Sequence, residues 1–265
     1  MKAIIHIIIV VFLTLLTQIG GVIWILNFGL FKWIRKKKSK LVKLTSFALL
    51  YVSATLLIVP LIARIAGRVP LPVTKSQNLI PHNYITPLLN RHYVKPKLRT
   101  QLFEIANSVH QGNSRLKVSY LDANFPFIDG FPLLPHLSHD DGKKVDLSFY
   151  YIYKGWECNL KPTTSGYGKF VEPLNSEINT TRDCKSKGYW QYDYSKFLTF
   201  GSRDDLEFDP GNTKILVEKI AQHNLTEKIF IEPHLKRGLD LSSDKVRFQG
   251  CRSVRHDDHI HYQIK

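Results

Sequence analysis

The chain contains 265 residues, of which 44% are apolar, and carries a formal net charge of +15. This length is sufficient for one sizeable domain and a further segment. Residues 1–68 hold ten Lys and Arg residues and no Asp or Glu, so the rest of the chain has a net charge of only +5. Because most of the charge accompanies apolar segments, it argues against a nucleic-acid partner.

Two long apolar runs near the N-terminus predict a membrane anchor. Residues 3–31 and 44–63 contain no Asp, Glu, Lys or Arg, and about 20 apolar residues suffice for a helix to cross a bilayer. The first run is longer than the apolar core of a cleaved signal peptide. We therefore predict two transmembrane helices within residues 1–68. A buried helical hairpin in a soluble protein is the alternative.

The basic segment between the two runs predicts their orientation. Residues 32–43 contain seven Lys and Arg residues and no acid, and basic loops remain preferentially in the cytoplasm. Arg64 and Arg68 oppose this orientation but are outnumbered. The loop is therefore predicted to be cytoplasmic, with Met1 and the C-terminal region outside. Two helices cannot form a transport pathway without oligomerising, which disfavours a transporter.

Residues 69–95 are predicted to be a linker, because their four prolines disfavour helix and stiffen the chain. The main domain is then predicted over residues 96–265. Within it, apolar residues recur at helical spacing near 98–109 and 215–221, whereas 116–120 and 229–231 have the character of strands. This mixture predicts an α+β fold with a mainly antiparallel sheet and flanking helices.

Residues 154–212 are predicted to be an insertion beside the functional site. They are rich in Gly, Asn, Asp, Ser and Thr and contain six Trp and Tyr residues. We expect this insertion to shape a substrate cleft. The alternative is a long structural loop with its own small aromatic cluster.

Three cysteines, Cys158, Cys184 and Cys251, suit a disulfide outside the cytoplasm. We favour the pair Cys158–Cys184, which would staple the insertion, although Cys251 could pair with either residue. One cysteine is left over in each case. A cysteine-ligated zinc site is not expected, because the chain has no Cys-x-x-Cys motif.

Two short segments, 136–146 and 256–261, concentrate the histidines. Residues 259–264 alternate polar and apolar as in a strand, so His259 and His261 should share one face. Asp146 lies at the start of another predicted strand, and His139 lies on the loop before it. Imidazole nitrogen and carboxylate oxygen are zinc ligands. His139, Asp146 and one or both of His259 and His261 therefore predict a zinc site with room for water; the alternative is a His-rich surface that binds metal adventitiously.

The combination of H-x6-D with a distant H-x-H resembles zinc peptidases that include lysostaphin-type enzymes, D-Ala-D-Ala peptidases and the hedgehog domain. The pattern is closer to that of the penicillin-insensitive murein endopeptidases, H-x-x-S-H-x-x-G-x-x-V-D followed by H-x-x-H-x-H. The run 229–236 also resembles a strand and helix of those enzymes, and the likeness covers roughly residues 95–265. The matching residues are His136, Ser138, His139, Gly142, Val145, Asp146, His256, His259 and His261.

This resemblance implies a role for each matched residue. His139, Asp146 and His261 correspond to the zinc ligands, and His259 corresponds to the catalytic or water-orienting histidine. His136 and His256 correspond to further active-site histidines. The neighbouring acids at 257 and 258 either orient these histidines or are solvated turn residues.

The implied protein is a zinc metallopeptidase that hydrolyses peptide cross-links of peptidoglycan, such as D-Ala–diaminopimelate. It would be anchored in the inner (cytoplasmic) membrane, with the catalytic domain on the periplasmic or extracellular side. Members of the resembled group are usually soluble exported proteins, so the anchor and the aromatic insertion depart from the pattern. A zinc-retaining, non-catalytic module that binds cell wall or protein is the alternative function on the same fold.

Overall fold

A computed structural model describes residues 2–34 and 39–265. The chain forms two units, each made of three stretches. The helical unit comprises Met1–Leu71, Ile85–Pro96 and Ala123–Gly142, and the sheet unit comprises Pro72–Tyr84, Lys97–Asp122 and Lys143–Lys265. The chain thus alternates between the units, whereas the sequence predicts boundaries at residues 68 and 95.

The apolar N-terminal residues form three helical segments. Helix α1 spans Lys2–Thr17 and α2 spans Gly20–Ile34. The third segment combines α3 (Lys40–Ser53), a π-helical turn (Ala54–Ile58) and α4 (Val59–Ile65). Its 26 residues make it the one segment in the described part of the chain that is long and apolar enough to cross a membrane.

The prediction of one helix over residues 3–31 is wrong, because the chain turns between α1 and α2. Gln18 adopts a left-handed conformation with φ of 67°, and the Thr17 hydroxyl accepts a hydrogen bond from Gly20 N at 2.8 Å. A Cβ atom on Gly21 would lie 2.1 Å from Thr14 Oγ1. The two glycines therefore let the helices approach closely after the turn, and each helix is shorter than a full span.

Side-chain contacts show that consecutive apolar segments run antiparallel to each other. Trp24 donates a hydrogen bond to His6 Nδ1 at 3.1 Å, and Asn27 donates one to the Lys43 carbonyl at 3.1 Å. Helix α1 therefore begins at the end where α2 stops and α3 starts. Met1 and residues 35–38 of the basic loop lie outside the described residues, so the expectation that Met1 and this loop lie on opposite sides of the membrane stays a prediction.

The predicted linker over residues 69–95 is folded. Strand β1 (Val69–Pro70) pairs with β3 (Tyr93–Val94), β2 (Leu79–Pro81) joins the main sheet, and α5 spans Ile85–Leu88. Prolines are tolerated here because Pro70 and Pro81 end their short strands, where no interior ladder hydrogen bond is lost.

The main sheet lies in the sheet unit and positions most of the histidine motifs. Its strand order is β10-β9-β11-β5-β4-β2. The inner pairs are antiparallel, but β9 with β10 and β2 with β4 are parallel. The α+β prediction is confirmed, and the sheet is mixed, with three antiparallel and two parallel strand pairs. The strands not bounded above are β4 (Val118–Tyr120), β5 (Lys144–Ser148), β9 (Thr226–Phe230), β10 (Val246–Arg247) and β11 (His259–Ile264).

Amphipathic helices supply the core beside this sheet. Helix α6 (Pro96–Gly112) buries Leu98, Leu102 and Ile105, and α8 (Pro210–Gln222) buries Leu216 and Ile220. These side chains recur at helical spacing, as the sequence predicts. A short helix, α9 (Pro233–Gly238), follows β9.

The insertion contains a three-stranded antiparallel sheet and two short helical segments. Strand β6 (Tyr151–Tyr153) lies between β7 (Trp156–Cys158) and β8 (Leu206–Phe208). Helix α7 spans Thr180–Ser186, and a 3-10 helix spans Trp190–Leu198.

The disulfide joins Cys184 to Cys251, so the favoured Cys158–Cys184 pairing is wrong. Cys158 lies on β7 instead, where its thiol contacts the Tyr151 carbonyl at 3.4 Å. The disulfide therefore ties α7 to the loop that precedes His256.

Candidate metal centre

The pairing of β5 with β11 positions the two predicted strand ligands. His261 lies directly opposite Asp146, and His259 lies opposite Ser148. Directly opposed residues on neighbouring strands project to the same face, as do residues two apart on one strand. The alternation in 259–264 therefore brings His259, His261 and Asp146 to one face, while Ile260 and Tyr262 are buried on the other.

His139, Asp146 and His261 form a buried group that could hold a metal ion. Each residue offers one ligand atom, and these atoms all lie within 4.8 Å of one another. Ligands held about 2.0–2.2 Å from a tetrahedral ion are about 3.5 Å apart, so small side-chain adjustments would complete such a site. Two imidazoles and a carboxylate suit zinc and other divalent transition metals.

His139 is held in the orientation of a ligand. Its Nδ1 lies 2.8 Å from the carbonyl oxygen of Ala123, which can only accept a hydrogen bond. The proton therefore sits on Nδ1, and Nε2 carries the lone pair that a metal requires. Gly142, just beyond, has φ of 78° and donates its N–H to the Asn124 side chain at 3.0 Å.

Both carboxylate oxygens of Asp146 are held by neighbouring side chains. Oδ1 lies 2.9 Å from His261 Nδ1, and Oδ2 accepts a hydrogen bond from the Tyr167 hydroxyl at 2.9 Å. The same hydroxyl accepts from Asp122 N at 3.1 Å. Burial and the neighbouring carboxylates raise the pKa of Tyr167, which keeps the hydroxyl protonated as a donor. The sequence identified Tyr167 only as one aromatic residue of the insertion.

His259 lies between two carboxylates. Its Nδ1 is 2.5 Å from Asp258 Oδ1, and its Nε2 is 3.7 Å from Asp146 Oδ2. Burial opposes the charged imidazolium, but Asp146 and Asp258 outweigh burial and raise the pKa of His259 to about 9. A cation bound by Asp146 would offset part of this attraction.

Asp258 is a buried orienting group rather than a solvated turn residue. Its Oδ2 accepts hydrogen bonds from Gly168 N at 2.6 Å and from the Ser195 hydroxyl at 3.3 Å. Asp257 is also fully buried, where it pairs with Arg255. The alternative that both acids are solvated is therefore wrong.

His256 packs beside the other two histidines of its motif. Its ring centroid lies 4.9 Å from that of His259 and 5.8 Å from that of His261. Its backbone N–H donates to Glu232 Oε1 at 3.0 Å, and Glu232 also accepts from the Tyr192 hydroxyl at 2.7 Å and from Thr180. Glu232 thus links the His256 segment to the insertion; no sequence motif identified it.

His136 lies beside His139 and outside the three-residue group. The two ring centroids are 5.6 Å apart, and His139 N donates to the His136 carbonyl at 3.0 Å. His234 is buried and its Nε2 lies 2.7 Å from the Val171 carbonyl. The contacts of Tyr167 and Gly168 show that the insertion lies beside the histidines, as predicted.

These residues provide three candidate ligands and a nearby histidine whose Nδ1 is held by a carboxylate. A site with three protein ligands retains a coordination position for water or substrate. A histidine held in this way can exchange a proton through its other nitrogen. Comparison with known proteins gave no match, either to a protein family or to an individual curated protein.

Proposed function

We propose that the protein is a membrane-anchored zinc metallopeptidase that hydrolyses peptide cross-links of peptidoglycan, as a murein endopeptidase does. The observation that carries this proposal is the buried group of His139, Asp146 and His261, whose donor set suits zinc. The murein endopeptidase pattern in the sequence supports the substrate class. His136, His256 and His259 lie beside the candidate ligands. Their presence favours a catalytic site over a purely structural metal site.

Each side chain has a separate task in the proposed reaction. His139, Asp146 and His261 would hold zinc, which would supply Lewis acidity and lower the pKa of a water molecule. His259 would serve as the proton acceptor at Nε2, because Asp258 holds Nδ1. His256 and His136 stabilise negative charge that develops on the scissile carbonyl.

The apolar segments support a location in the cytoplasmic membrane. Residues 40–65 are long enough to span it, and large apolar side chains on all three segments are exposed, as expected of a surface in contact with lipid. Lys32, Lys40 and Lys43 lie at the end where α2 stops and α3 begins. The positive-inside rule then places that end in the cytoplasm and the chain after Arg68 outside.

The proposal is tested on the full chain in detergent, as wild type and as His259→Ala. We expect wild type to hold about one zinc ion and to release cross-link fragments from purified peptidoglycan, identified by mass spectrometry. His259→Ala should keep zinc and lose hydrolysis. If wild type binds zinc and leaves peptidoglycan intact, the peptidase proposal fails and a non-catalytic binding module becomes the better interpretation.

A further inference from the structure

The loop that carries His136 and His139 is part of the helical unit. This loop, Ala123–Gly142, is described throughout and contains no helix or named strand. Its conformation therefore depends on side-chain contacts rather than on a continuous backbone ladder. Those contacts come largely from the apolar helices and from the residues that follow them.

Arg68 clamps the two ends of the loop. It follows α4 by three residues, and its side chain is completely buried. Its guanidinium donates to the Phe125 carbonyl, to the Asp129 carboxylate and, at 2.9 Å, to the Asp140 carbonyl. Phe125 and Asp140 are 15 positions apart, so one planar group fixes the entry and the exit of the loop.

The clamp adjoins the candidate ligand. Asp140 directly follows His139, whose Nδ1 is fixed by the Ala123 carbonyl. Gly142 packs against the same guanidinium, since a Cβ atom there would lie 3.2 Å from Arg68 Nε. The Gly142 carbonyl also accepts a hydrogen bond from Lys95 N at 2.7 Å. Arg68 thus bonds the residue that directly follows His139 and the residue two positions after Ala123, whose carbonyl orients the His139 ring.

The apolar helices hold the middle of the loop. Phe127 N donates to the side chain of Gln18, in the turn between α1 and α2, at 2.9 Å. The Phe127 ring packs against an apolar cluster drawn from the helices and β3, namely Ile19, Ile23, Tyr51, Ala54, Val59, Ala63 and Tyr93. A membrane tether that only attached the protein to lipid would need none of these contacts.

We propose that Arg68 is a positioning residue for the candidate ligand His139, and that the apolar helices hold the loop that carries this ligand. The proposal rests on the zinc site of the proposed function but not on the peptidase reaction. It implies that zinc affinity depends on side chains at the end of the membrane segment. A lysine at position 68 would keep the charge but could not reach three separate acceptors with a rigid fork.

The test measures metal binding by the full chain in lipid nanodiscs. Zinc affinity is determined by competition with a chelator, and the visible spectrum of the cobalt-substituted protein reports the geometry of the ligands. We expect Arg68→Lys to weaken zinc binding by roughly 10- to 100-fold, the usual effect of losing a partner that orients a ligand, and to change the cobalt spectrum. Arg64→Lys, an exposed position in the last turn of α4, is the matched control and should retain both.

Asp129→Asn keeps the proposal testable if changes at Arg68 prevent folding. The Asp129 side chain is 62% exposed, so its substitution should spare the fold. We expect a several-fold loss of zinc affinity in the wild-type background and none when combined with Arg68→Lys. Wild-type zinc affinity and cobalt spectra in both Arg68→Lys and Asp129→Asn would overturn the proposal.

The outcomes separate this proposal from the proposed function. Normal zinc binding without peptidoglycan hydrolysis would refute the peptidase and leave the role of Arg68 intact. Hydrolysis and zinc binding that are insensitive to Arg68→Lys would refute the role of Arg68 and leave the peptidase intact. Failure of the wild-type chain to bind zinc would overturn both.

Discussion

The strand that carries His261 and the loop that carries His139 hold their histidines by different means. His261 is fixed by the backbone ladder of β11, which pairs with β5 on one side and β9 on the other. His139 lies on a loop whose conformation depends on one buried arginine and a glycine in a left-handed conformation. The strand position follows from a simple alternation in sequence, whereas the loop position follows from contacts that no local pattern encodes.

The largest expected effect comes from removing a ligand from either element. His261→Ala should lower zinc affinity by more than the roughly 100-fold typical of changes outside the ligand set, and His139→Ala should do the same. Chelator competition measures the affinity. Gln263→Ala is the control, since Gln263 lies on the same face of β11 two residues further on and should leave affinity unchanged. Wild-type affinity in His261→Ala would remove this residue from the metal centre.

A smaller effect is expected when Gly142, in the loop that carries His139, is substituted. Gly142→Ala should cost about 1–2 kcal/mol of stability because a left-handed conformation disfavours a Cβ atom. It should also lower zinc affinity by roughly 10-fold, since the new methyl group crowds Arg68 and Lys95.

Gly130→Ala supplies the matched comparison for this prediction. Gly130 lies in the same loop with φ of 79°, and a Cβ atom there would have no neighbour within 4 Å. Both variants should lose similar stability in thermal unfolding, and only Gly142→Ala should lose zinc affinity. Equal zinc affinities in the two variants would show that the close packing at Gly142 does not position the ligand.

The metal-site residues on strands β5 and β11 could be predicted from the sequence better than the residues that surround them. A period of two identified the shared face of His259 and His261, and the register of β5 and β11 confirms it. The motif spacing also identified His139, because its resemblance to a known pattern does not require knowledge of the loop conformation. The strand pattern lies within a few residues along the chain, whereas the resemblance also needs the distant motif at 256–261.

Other features could not be predicted because their partners are distant in sequence. The hydrogen bond from Gly168 to Asp258 spans 90 positions, and that from Tyr192 to Glu232 spans 40. Cys184 pairs with Cys251 across 67 positions. The break at Gln18 is different, since the following Gly20-Gly21 pair is a local turn signal that the length of the apolar run concealed.

The smallest expected effect comes from Tyr167, whose substitution tests how firmly strands β5 and β11 hold their ligands. Tyr167→Phe removes the hydroxyl that donates to Asp146 and accepts from Asp122 N. Loss of such a hydrogen bond is worth about 0.5–1.5 kcal/mol, which corresponds to roughly a 2- to 10-fold decrease in zinc affinity. Tyr194→Phe, which alters a more exposed hydroxyl of the insertion, is the control. Because the β5–β11 ladder fixes the Asp146 backbone, the loss should stay below that of Gly142→Ala; a larger loss would mean that side-chain contacts, not the ladder, also hold the strand ligands.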